Sequence, residues 1–271
     1  MKDQIWWITG ASSGIGAALA VELAKGGAKL ILSGRNTQAL ESVAAQCGET
    51  LILPFDAVDF DAIPDIAAQA WGWKGRVHGL INNAGISQRS LAIDTDFSVY
   101  QRMIDVDLLG PIALTQANLP RMVAAGGGHI VAISSVAGIA GVALRSAYCA
   151  AKHGLIGYHD SVRCETAHLG IQVHVIAPGS VQTNVSRNAL NADGSTRGAS
   201  DAAIDAGMPA DEAARAILEA VAAGTRELIL ATGVEAHIAA LRRNDPDALF
   251  DQMAASVRGG YAQKMAAENN I

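Results

Sequence analysis

Short apolar runs alternate along the chain with longer segments whose apolar residues recur at helical spacing. Near-continuous runs predict buried strands at residues 5–8, 30–32, 51–53, 79–81, 130–133 and 173–176, and the last apolar run is 228–230. The helical pattern lies between the early runs, at residues 15–25, 37–46 and 62–71. This alternation predicts an α/β fold, a Rossmann-type doubly wound parallel sheet with right-handed crossovers.

The chain of 271 residues is predicted to form a single domain, because neither a Pro/Ser-rich linker nor a repeat of fixed period divides it. We expect its core at residues 1–235. Residues 188–206 are rich in Asn, Asp, Gly, Ser and Ala, which predicts a mobile loop within a substrate loop at about 186–208. Residues 236–271 predict a helical extension, in which Asn244-Asp245-Pro246 marks a turn and a helix start.

Composition and charge narrow the class of protein. Half of the residues are hydrophobic and the formal net charge is −6, which argues against nucleic acid as the main partner. The three cysteines, an odd and sparse set, favour a reducing compartment. We see no transmembrane span, no room for a signal peptide and no metal-ligand spacing, so we expect a cytoplasmic protein without a metal site.

A glycine-rich turn follows the first predicted strand and opens the first predicted helix, with the sequence Thr9-Gly10-Ala11-Ser12-Ser13-Gly14-Ile15-Gly16. Glycine lets the backbone turn tightly and approach a pyrophosphate, and the helix N-terminus supplies free N–H groups. Ser12 and Ser13 add hydroxyl donors. The spacing is Gly-x-x-x-Gly-x-Gly, and taken alone it is equally compatible with an ordinary strand-to-helix turn.

Arg35 lies just past the second predicted strand, in Ser33-Gly34-Arg35-Asn36. A carboxylate at this place would bind the ribose hydroxyls of NAD, whereas a guanidinium pairs with the 2′-phosphate of NADP. The segment holds no acidic residue, so NADP(H) is favoured over NAD(H) as the cofactor. The alternative is that Arg35 is a solvated loop residue.

Three residues suggest proton-transfer chemistry. Tyr148 and Lys152 lie four residues apart in a helical pattern, so they share one helix face. An ammonium about 4 Å from a phenol favours the ionised phenolate by about 4 kcal/mol at an effective dielectric of 20. Ser135 follows the predicted strand 130–133, at the edge of the sheet where ligands bind. Each of these residues, taken alone, also has an ordinary structural explanation.

Combined, these motifs resemble the short-chain dehydrogenase/reductase superfamily over about residues 5–230. The glycine-rich turn matches its cofactor motif, and Ser135, Tyr148 and Lys152 match its catalytic set. Further matches are Asp56, Asn82-Asn83-Ala84-Gly85 and Pro178-Gly179-Ser180-Val181-Gln182-Thr183. The loop and the C-terminal extension are most similar to the branch of the compact, single-domain type near hydroxysteroid and retinoid dehydrogenases.

The resemblance implies an NADP-dependent oxidoreductase that interconverts a carbonyl and an alcohol. In this family scheme Tyr148 is the general acid/base, Lys152 binds the nicotinamide ribose, and Ser135 orients the substrate oxygen. It also implies a homodimer or homotetramer. The resemblance also implies a set of cofactor contacts. Besides Tyr148 and Lys152, they are Gly10, Ser12, Ser13, Gly14, Ile15, Gly16, Arg35, Asp56, Asn83, Ala84, Gly85, Pro178, Gly179, Val181 and Thr183.

Asp107 departs from the family pattern. The family usually has Val-Asn-x-x-Gly here, and this chain has Val106-Asp107-Leu108-Leu109-Gly110. The family Asn holds a water that links the lysine to solvent, and Asp107 can hold that water too. Because its charge near Lys152 would oppose the effect of the lysine on Tyr148, we expect catalysis to survive with an optimum at higher pH.

The wall of the substrate pocket is predicted to be apolar, which favours a hydrophobic ketone, aldehyde or secondary alcohol. We assign this wall to residues 188–206 with Ile139, Ala140, Val142 and Leu144. Arg145 is a candidate contact for an acidic substrate near the pocket, but a role at the protein surface is favoured. Two other functions stay open: an NADP(H)-binding sensor or scaffold with impaired catalysis, and a sugar-nucleotide epimerase or dehydratase.

Overall fold

The computed structural model describes residues 1–267, and within them seven parallel strands form one sheet. They are β1 (Ile5–Thr9), β2 (Lys29–Ser33), β3 (Thr50–Ile52), β4 (Gly79–Asn82), β5 (Gly128–Ile133), β6 (Ile171–Pro178) and β7 (Glu227–Leu230). The spatial order is β3-β2-β1-β4-β5-β6-β7. The order reverses between β1 and β4, and ligands of open α/β sheets bind at such a reversal, outside the carboxyl ends of the strands.

Helices connect the strands and continue beyond the last one. They are α1 (Gly14–Lys25), α2 (Thr37–Ala44), α3 (Ile63–Lys74), α4 (Phe97–Ile104), α5 (Gly110–Ala124), α6 (Ser146–Thr166), α7 (Ala202–Asp205), α8 (Ala210–Ala222), α9 (Gly233–Asn244), α10 (Pro246–Arg258) and α11 (Tyr261–Ala267). No helix in this described part of the chain has the length and hydropathy that a membrane span requires.

The two faces of the sheet are both covered, and the alternation along β1 shows how. Trp6 and Ile8 pack into one apolar core together with residues of α1 and α8. Ile5 and Trp7 point to the opposite face and pack with residues of α3, α5 and α6. A strand that is buried on both faces needs the continuous apolar run seen in the sequence, so the predicted Rossmann-type parallel sheet is confirmed.

The chain between α4 and α5 forms a π-helical turn, Asp105–Leu109. The turn continues the helix without a break while it rotates the side chains that follow. Val106 and Asp107, in the middle of the turn, are buried. The turn therefore directs the Asp107 carboxylate towards the interior of the protein. Such π-helical turns occur frequently at functional sites.

The segment at residues 188–206, predicted as a mobile loop, is instead tied to the body of the protein. Leu190 exchanges two backbone hydrogen bonds with the chain after β4, from its N–H to the Ser87 carbonyl and from the Arg89 N–H to its own carbonyl. The Asp201 side chain is buried and paired with arginines. The composition suggested a solvated loop because these long-range contacts leave no local pattern.

The predicted C-terminal extension begins slightly earlier than expected, with α9 starting at Gly233. The helix start predicted at Asn244-Asp245-Pro246 is confirmed, since the Asp245 side chain accepts a hydrogen bond of 3.1 Å from the N–H of Ala248 at the start of α10. The last part of the predicted extension, residues 268–271, lies outside the described residues.

Candidate active site

A cleft of about 630 Å³ runs along the carboxyl ends of the strands. Of the predicted site residues, those that line it are Gly10, Ser12, Ser13, Gly14, Ile15, Arg35, Asp56, Asn83, Ala84, Gly85, Asp107, Ser135, Tyr148, Lys152, Pro178, Gly179, Val181 and Thr183. Gly16 alone lies behind the lining, where a Cβ would collide with the Gly10 carbonyl. The structure thus gathers into one cleft residues that the sequence spreads over most of the chain.

The glycine-rich turn is closed by the chain that follows β4. Gly10 has a φ of +63°, and a Cβ on it would lie 2.8 Å from the Ala84 Cα. The Asn83 side-chain amide donates to the carbonyls of Thr9 at 3.0 Å and Gly10 at 3.2 Å. These bonds fix the turn so that the N-terminus of α1 faces the cleft, where its unpaired N–H groups suit a pyrophosphate.

Thr9 fastens the same two loops together, a role that the sequence analysis missed. Its hydroxyl oxygen accepts hydrogen bonds of 3.1 Å from the N–H groups of Asn83 and Ala84, and it donates to the Ile81 carbonyl at 3.2 Å. In the sequence, Thr9 only marks the start of the glycine-rich turn after the predicted strand 5–8. The signal that could have found it is a hydroxyl placed directly before the glycine-rich turn.

The end of the cleft beside α2 carries two arginines. Arg35 is exposed there, beside Ser12 and the N-terminal end of α2. Arg102, which was not predicted, lies 3.7 Å from the Asp56 carboxylate. Arg35 makes no ion pair with the residues described, so its guanidinium can face a bound phosphate. The glycine cradle and this cation fit a nicotinamide dinucleotide.

Tyr148 and Lys152 lie one turn apart on α6, as predicted. The Lys152 ammonium is 5.7 Å from the centre of the Tyr148 ring and donates a hydrogen bond of 3.1 Å to the Ile133 carbonyl at the end of β5. The Ser134 hydroxyl donates to the Lys152 carbonyl at 3.1 Å. These bonds fix α6 to the carboxyl end of β5, and the Lys152 Nζ with it.

Ser135 begins a short 3-10 turn, Val136–Gly138, directly after β5. Its hydroxyl oxygen accepts a hydrogen bond of 3.1 Å from the Ala137 N–H, which leaves the hydroxyl proton available to a ligand. Ser135 lines the cleft together with Tyr148. Ser135 therefore caps this turn, and the cap holds the hydroxyl at the cleft surface.

Asp107 is buried next to Lys152, with 3.2 Å between its Oδ2 and the Lys152 Nζ. Its Oδ1 accepts a hydrogen bond of 2.8 Å from the Ile86 N–H. Burial raises the pKa of Asp107, and the Lys152 ammonium and the Ile86 N–H oppose that rise. Burial also favours the neutral amine of Lys152, but the electrostatic attraction of Asp107 and Tyr148 together outweighs it, so the pKa of Lys152 lies above its usual value. The ammonium is therefore retained.

The predicted substrate wall of Ile139, Ala140, Val142 and Leu144 is wrong, because none of the four lines the cleft. Ala140 is fully buried, and Val142 packs beside the Cys149 thiol. The lining there comes from the loops after β4 and β6, with Ile86, Ser87, Asn184, Val185, Asn188, Leu190, Thr196 and Ile204. Nearness to Ser135 in sequence was misleading.

Arg145 also lines this end of the cleft, so the surface role favoured for it is wrong. Its Nη2 lies 3.4 Å from the Oδ2 of Asp201. The same carboxylate is paired with Arg89 and Arg197. Sequence analysis missed this buried group, whose members are spread from residue 89 to residue 201.

Comparison with known proteins decides the family. Residues 4–194 match the family model described as short chain dehydrogenase. The chain belongs to the short-chain dehydrogenase family. As a family member it is an oxidoreductase that binds a nicotinamide cofactor and acts on a small molecule.

Relatives of this short-chain dehydrogenase include the mouse dehydrogenase/reductase SDR family member 7B, which is 38% identical over 266 residues, 95% of this chain and 82% of the mouse protein. Among solved structures, a short-chain dehydrogenase from Streptomyces avermitilis has a TM-score of 0.79 and 28% identity, with 96% of this chain and 98% of that chain covered. Levodione reductase has a TM-score of 0.75 and 25% identity, with 87% and 99% covered.

Proposed function

We propose that this short-chain dehydrogenase uses NADP(H) to interconvert a carbonyl and a secondary or primary alcohol on a largely apolar small molecule, with Tyr148 as the general acid/base. The observation that carries the proposal is the placing of Tyr148, Lys152 and Ser135 in the same cleft as the glycine-rich turn. Levodione reductase, one of the similar structures, is by its name a reductase, which agrees with this reaction class.

The nicotinamide, when bound, supplies or accepts the hydride. In the direction of reduction, the Ser135 hydroxyl donates to the substrate carbonyl oxygen and orients it towards Tyr148. The Tyr148 hydroxyl then gives its proton to that oxygen. The Lys152 ammonium, held by Ile133 and Asp107, stabilises the phenolate that remains. In the direction of oxidation, the same groups take the proton from the alcohol.

The preference for NADP(H) rests on Arg35. It follows β2 and lines the cleft, where its guanidinium can pair with a 2′-phosphate. The segment from Ser33 to Asn36 has no carboxylate that would instead bind ribose hydroxyls. Asp56 is the nearest acid in the lining, and it already faces Arg102.

The apolar character of the substrate rests on the side chains that line the far end of the cleft. Ile86, Val185, Leu190 and Ile204 offer apolar surface beside Tyr148 and Ser135. The polar side chains of Ser87, Asn184, Asn188 and Thr196 lie among them, and such groups fix the orientation of a small organic molecule in a site with apolar walls.

A second candidate, an NADP(H) sensor with impaired catalysis, is favoured by one contact. The Asp107 carboxylate offsets the charge of Lys152 at 3.2 Å. A sensor would need this contact to suppress proton transfer while the cofactor site stays intact.

The test is to follow NADPH and NADH oxidation with the purified protein against a panel of apolar ketones and aldehydes. The proposal expects turnover of at least one compound, with a kcat/KM for NADPH at least about tenfold above that for NADH. Turnover with NADH alone would contradict the cofactor assignment. Tight NADPH binding without turnover of any compound would favour the sensor.

A further inference from the structure

Most of the charged side chains that line the cleft form ion pairs with one another, but two arginines do not. Among the described residues, the charged side chains in the lining are Arg35, Asp56, Arg102, Asp107, Arg145 and Lys152. Asp107 pairs with Lys152 at 3.2 Å, and Asp56 faces Arg102 at 3.7 Å. Arg35 and Arg145 remain, and they lie at opposite ends of the cleft. Arg35 has the cofactor phosphate as its expected partner, whereas the carboxylate that Arg145 contacts, Asp201, lies outside the lining.

The carboxylate nearest to Arg145 is already in use. Asp201 accepts a hydrogen bond of 2.8 Å from the Nε of Arg89 and a second hydrogen bond from the Nη2 of Arg89. The other carboxylate oxygen pairs with Arg197. Arg145 has the longest contact of the three, 3.4 Å to Oδ2. One negative charge is therefore shared by three guanidinium groups.

Arg145 is the member of this group that a ligand can reach. Its side chain is 22% exposed, compared with 3% for Arg89. Burial lowers the pKa of Arg89 to about 10, and the positive charge of Arg145 adds to that effect. A second anion beside Arg145 would relieve this repulsion as well as satisfy its remaining donors.

The backbone around Arg145 has a strained conformation that hydrogen bonds hold in place. Leu144 has a φ of +66°, a left-handed conformation that leucine rarely adopts. Its carbonyl accepts a hydrogen bond of 3.0 Å from the Ser90 N–H. Three residues further on, the Ala147 N–H donates to the Gln88 side chain at 2.8 Å. The bend thus sets Arg145 directly before α6, three residues ahead of Tyr148. Strain that is held in this way concentrates at functional sites.

We infer that Arg145 binds an anionic group of the substrate, a carboxylate or a phosphate monoester, at the end of the cleft away from Arg35. The inference rests on the proposed function and deepens it: the substrate is amphipathic. Its apolar body contacts residues such as Ile86, Val185 and Leu190, and its charged end reaches Arg145. Arg145 then selects among carbonyl compounds without taking part in the proton transfer.

The test uses three matched substrates: a ten-carbon methyl ketone that ends in a carboxylate, its methyl ester, and the same ketone ending in a phosphate monoester. We expect kcat/KM for one of the anions to exceed that for the ester by at least about tenfold, and the better anion identifies the group. Arg145→Gln should remove this preference through KM, by lowering kcat/KM for the anion at least about tenfold more than for the ester. Arg145→Lys should retain part of it, because the charge stays while the bidentate geometry is lost.

Arg187→Gln is the control, since Arg187 is an exposed arginine of the loop after β6 and does not line the cleft. It should leave the preference intact. Equal kcat/KM for ester and anions in the wild type would overturn the inference, as would an equal loss for all three substrates in Arg145→Gln. In both cases Tyr148-dependent turnover would leave the proposed function standing.

A binding measurement keeps the inference testable if none of the three ketones is turned over, a result that bears on the proposed function. Titration of decanoate, decyl phosphate and decanol into the NADP⁺-loaded protein should then show an anion bound at least about tenfold more tightly than the alcohol, and only when Arg145 is present. Equal affinities, or an anion preference that survives in Arg145→Gln, would overturn the inference.

Discussion

Asp107 and Lys152 form an ion pair beneath the cleft, with 3.2 Å between Oδ2 and Nζ and with both side chains almost wholly shielded from water. The Ile86 N–H holds the carboxylate from the other side. Salt screens such a buried pair poorly. The charge at Asp107 therefore acts directly on the ammonium that, in the proposed mechanism, controls proton transfer at Tyr148.

Replacement of this carboxylate by an amide should move the pH dependence of the reaction. In Asp107→Asn, Lys152 no longer has a counter-charge, so its ammonium stabilises the Tyr148 phenolate more strongly. We expect the acidic limb of kcat/KM for alcohol oxidation to shift to lower pH by about one unit. The measurement is the pH–rate profile of both proteins. Asp105→Asn, on the same turn but outside the cleft, is the control, and identical profiles for wild type and Asp107→Asn would contradict the account.

The cofactor preference should reverse when the charge at position 35 is reversed. Arg35→Asp replaces a cation suited to the 2′-phosphate by an acid suited to ribose hydroxyls. We expect kcat/KM for NADPH to fall at least about tenfold and that for NADH to rise. Initial rates with each cofactor measure both effects. Arg121→Asp, an exposed arginine remote from the cleft, should leave the ratio unchanged, and an unchanged ratio in Arg35→Asp would remove the basis for NADP(H).

Asp201 should be important for stability, because Asp201→Asn leaves buried guanidinium groups without their counter-ion. Removal of one partner from a buried ion pair typically lowers the free energy of unfolding by about 3–5 kcal/mol. Urea unfolding measures this loss. Asp211→Asn is the control, because it breaks an exposed pair with Arg215 and should change stability little. A loss at Asp201 no larger than at Asp211 would show that the arginine group does not depend on this carboxylate.

His159, buried on α6, should make the protein sensitive to mild acid. Burial lowers its pKa to about 4, whereas a histidine in the unfolded chain titrates near 6.5. Between these values only the unfolded state takes up the proton, so stability is complete above pH 6.5 and falls as the pH drops towards 4.

The contribution of His159 between pH 7 and pH 5 is about 2 kcal/mol. In His159→Gln, the free energy of unfolding should therefore depend less on pH over this interval, as measured by urea titrations at both values. His168→Gln, at an exposed position, should keep the wild-type dependence. A variant at 159 that loses as much stability as the wild type would show that other groups cause the acid sensitivity.

Much of the fold and of the cofactor site could be predicted because the signals are local. A strand buried on both faces, such as β1, needs an unbroken apolar run, and a tight turn before a helix needs glycine at Gly10. Tyr148 and Lys152 share a face simply because they are four residues apart. Each of these relationships is contained in a window of a few residues.

Other features depend on contacts between distant segments and leave no such pattern. Arg89 and Asp201 are 112 residues apart in the chain, and neither sequence neighbourhood suggests a buried ion pair. The π-helical turn at Asp107 looks like ordinary helix in its apolar spacing. Part of the predicted substrate wall was misplaced for the same reason. Residues 188–206 do contribute to the lining, through Asn188, Leu190, Thr196 and Ile204, but Ile139, Ala140, Val142 and Leu144 do not.

The most direct test of the central claim compares Tyr148→Phe with wild type in two separate measurements, kcat for carbonyl reduction and the Kd for NADPH. The account predicts that kcat falls by at least about 100-fold while the Kd for NADPH changes less than about threefold, because only the proton donor is lost. Tyr158→Phe, on the same helix but outside the cleft, should retain wild-type values of both. Reduction by Tyr148→Phe at a rate close to wild type would contradict the assignment of Tyr148 as the acid/base.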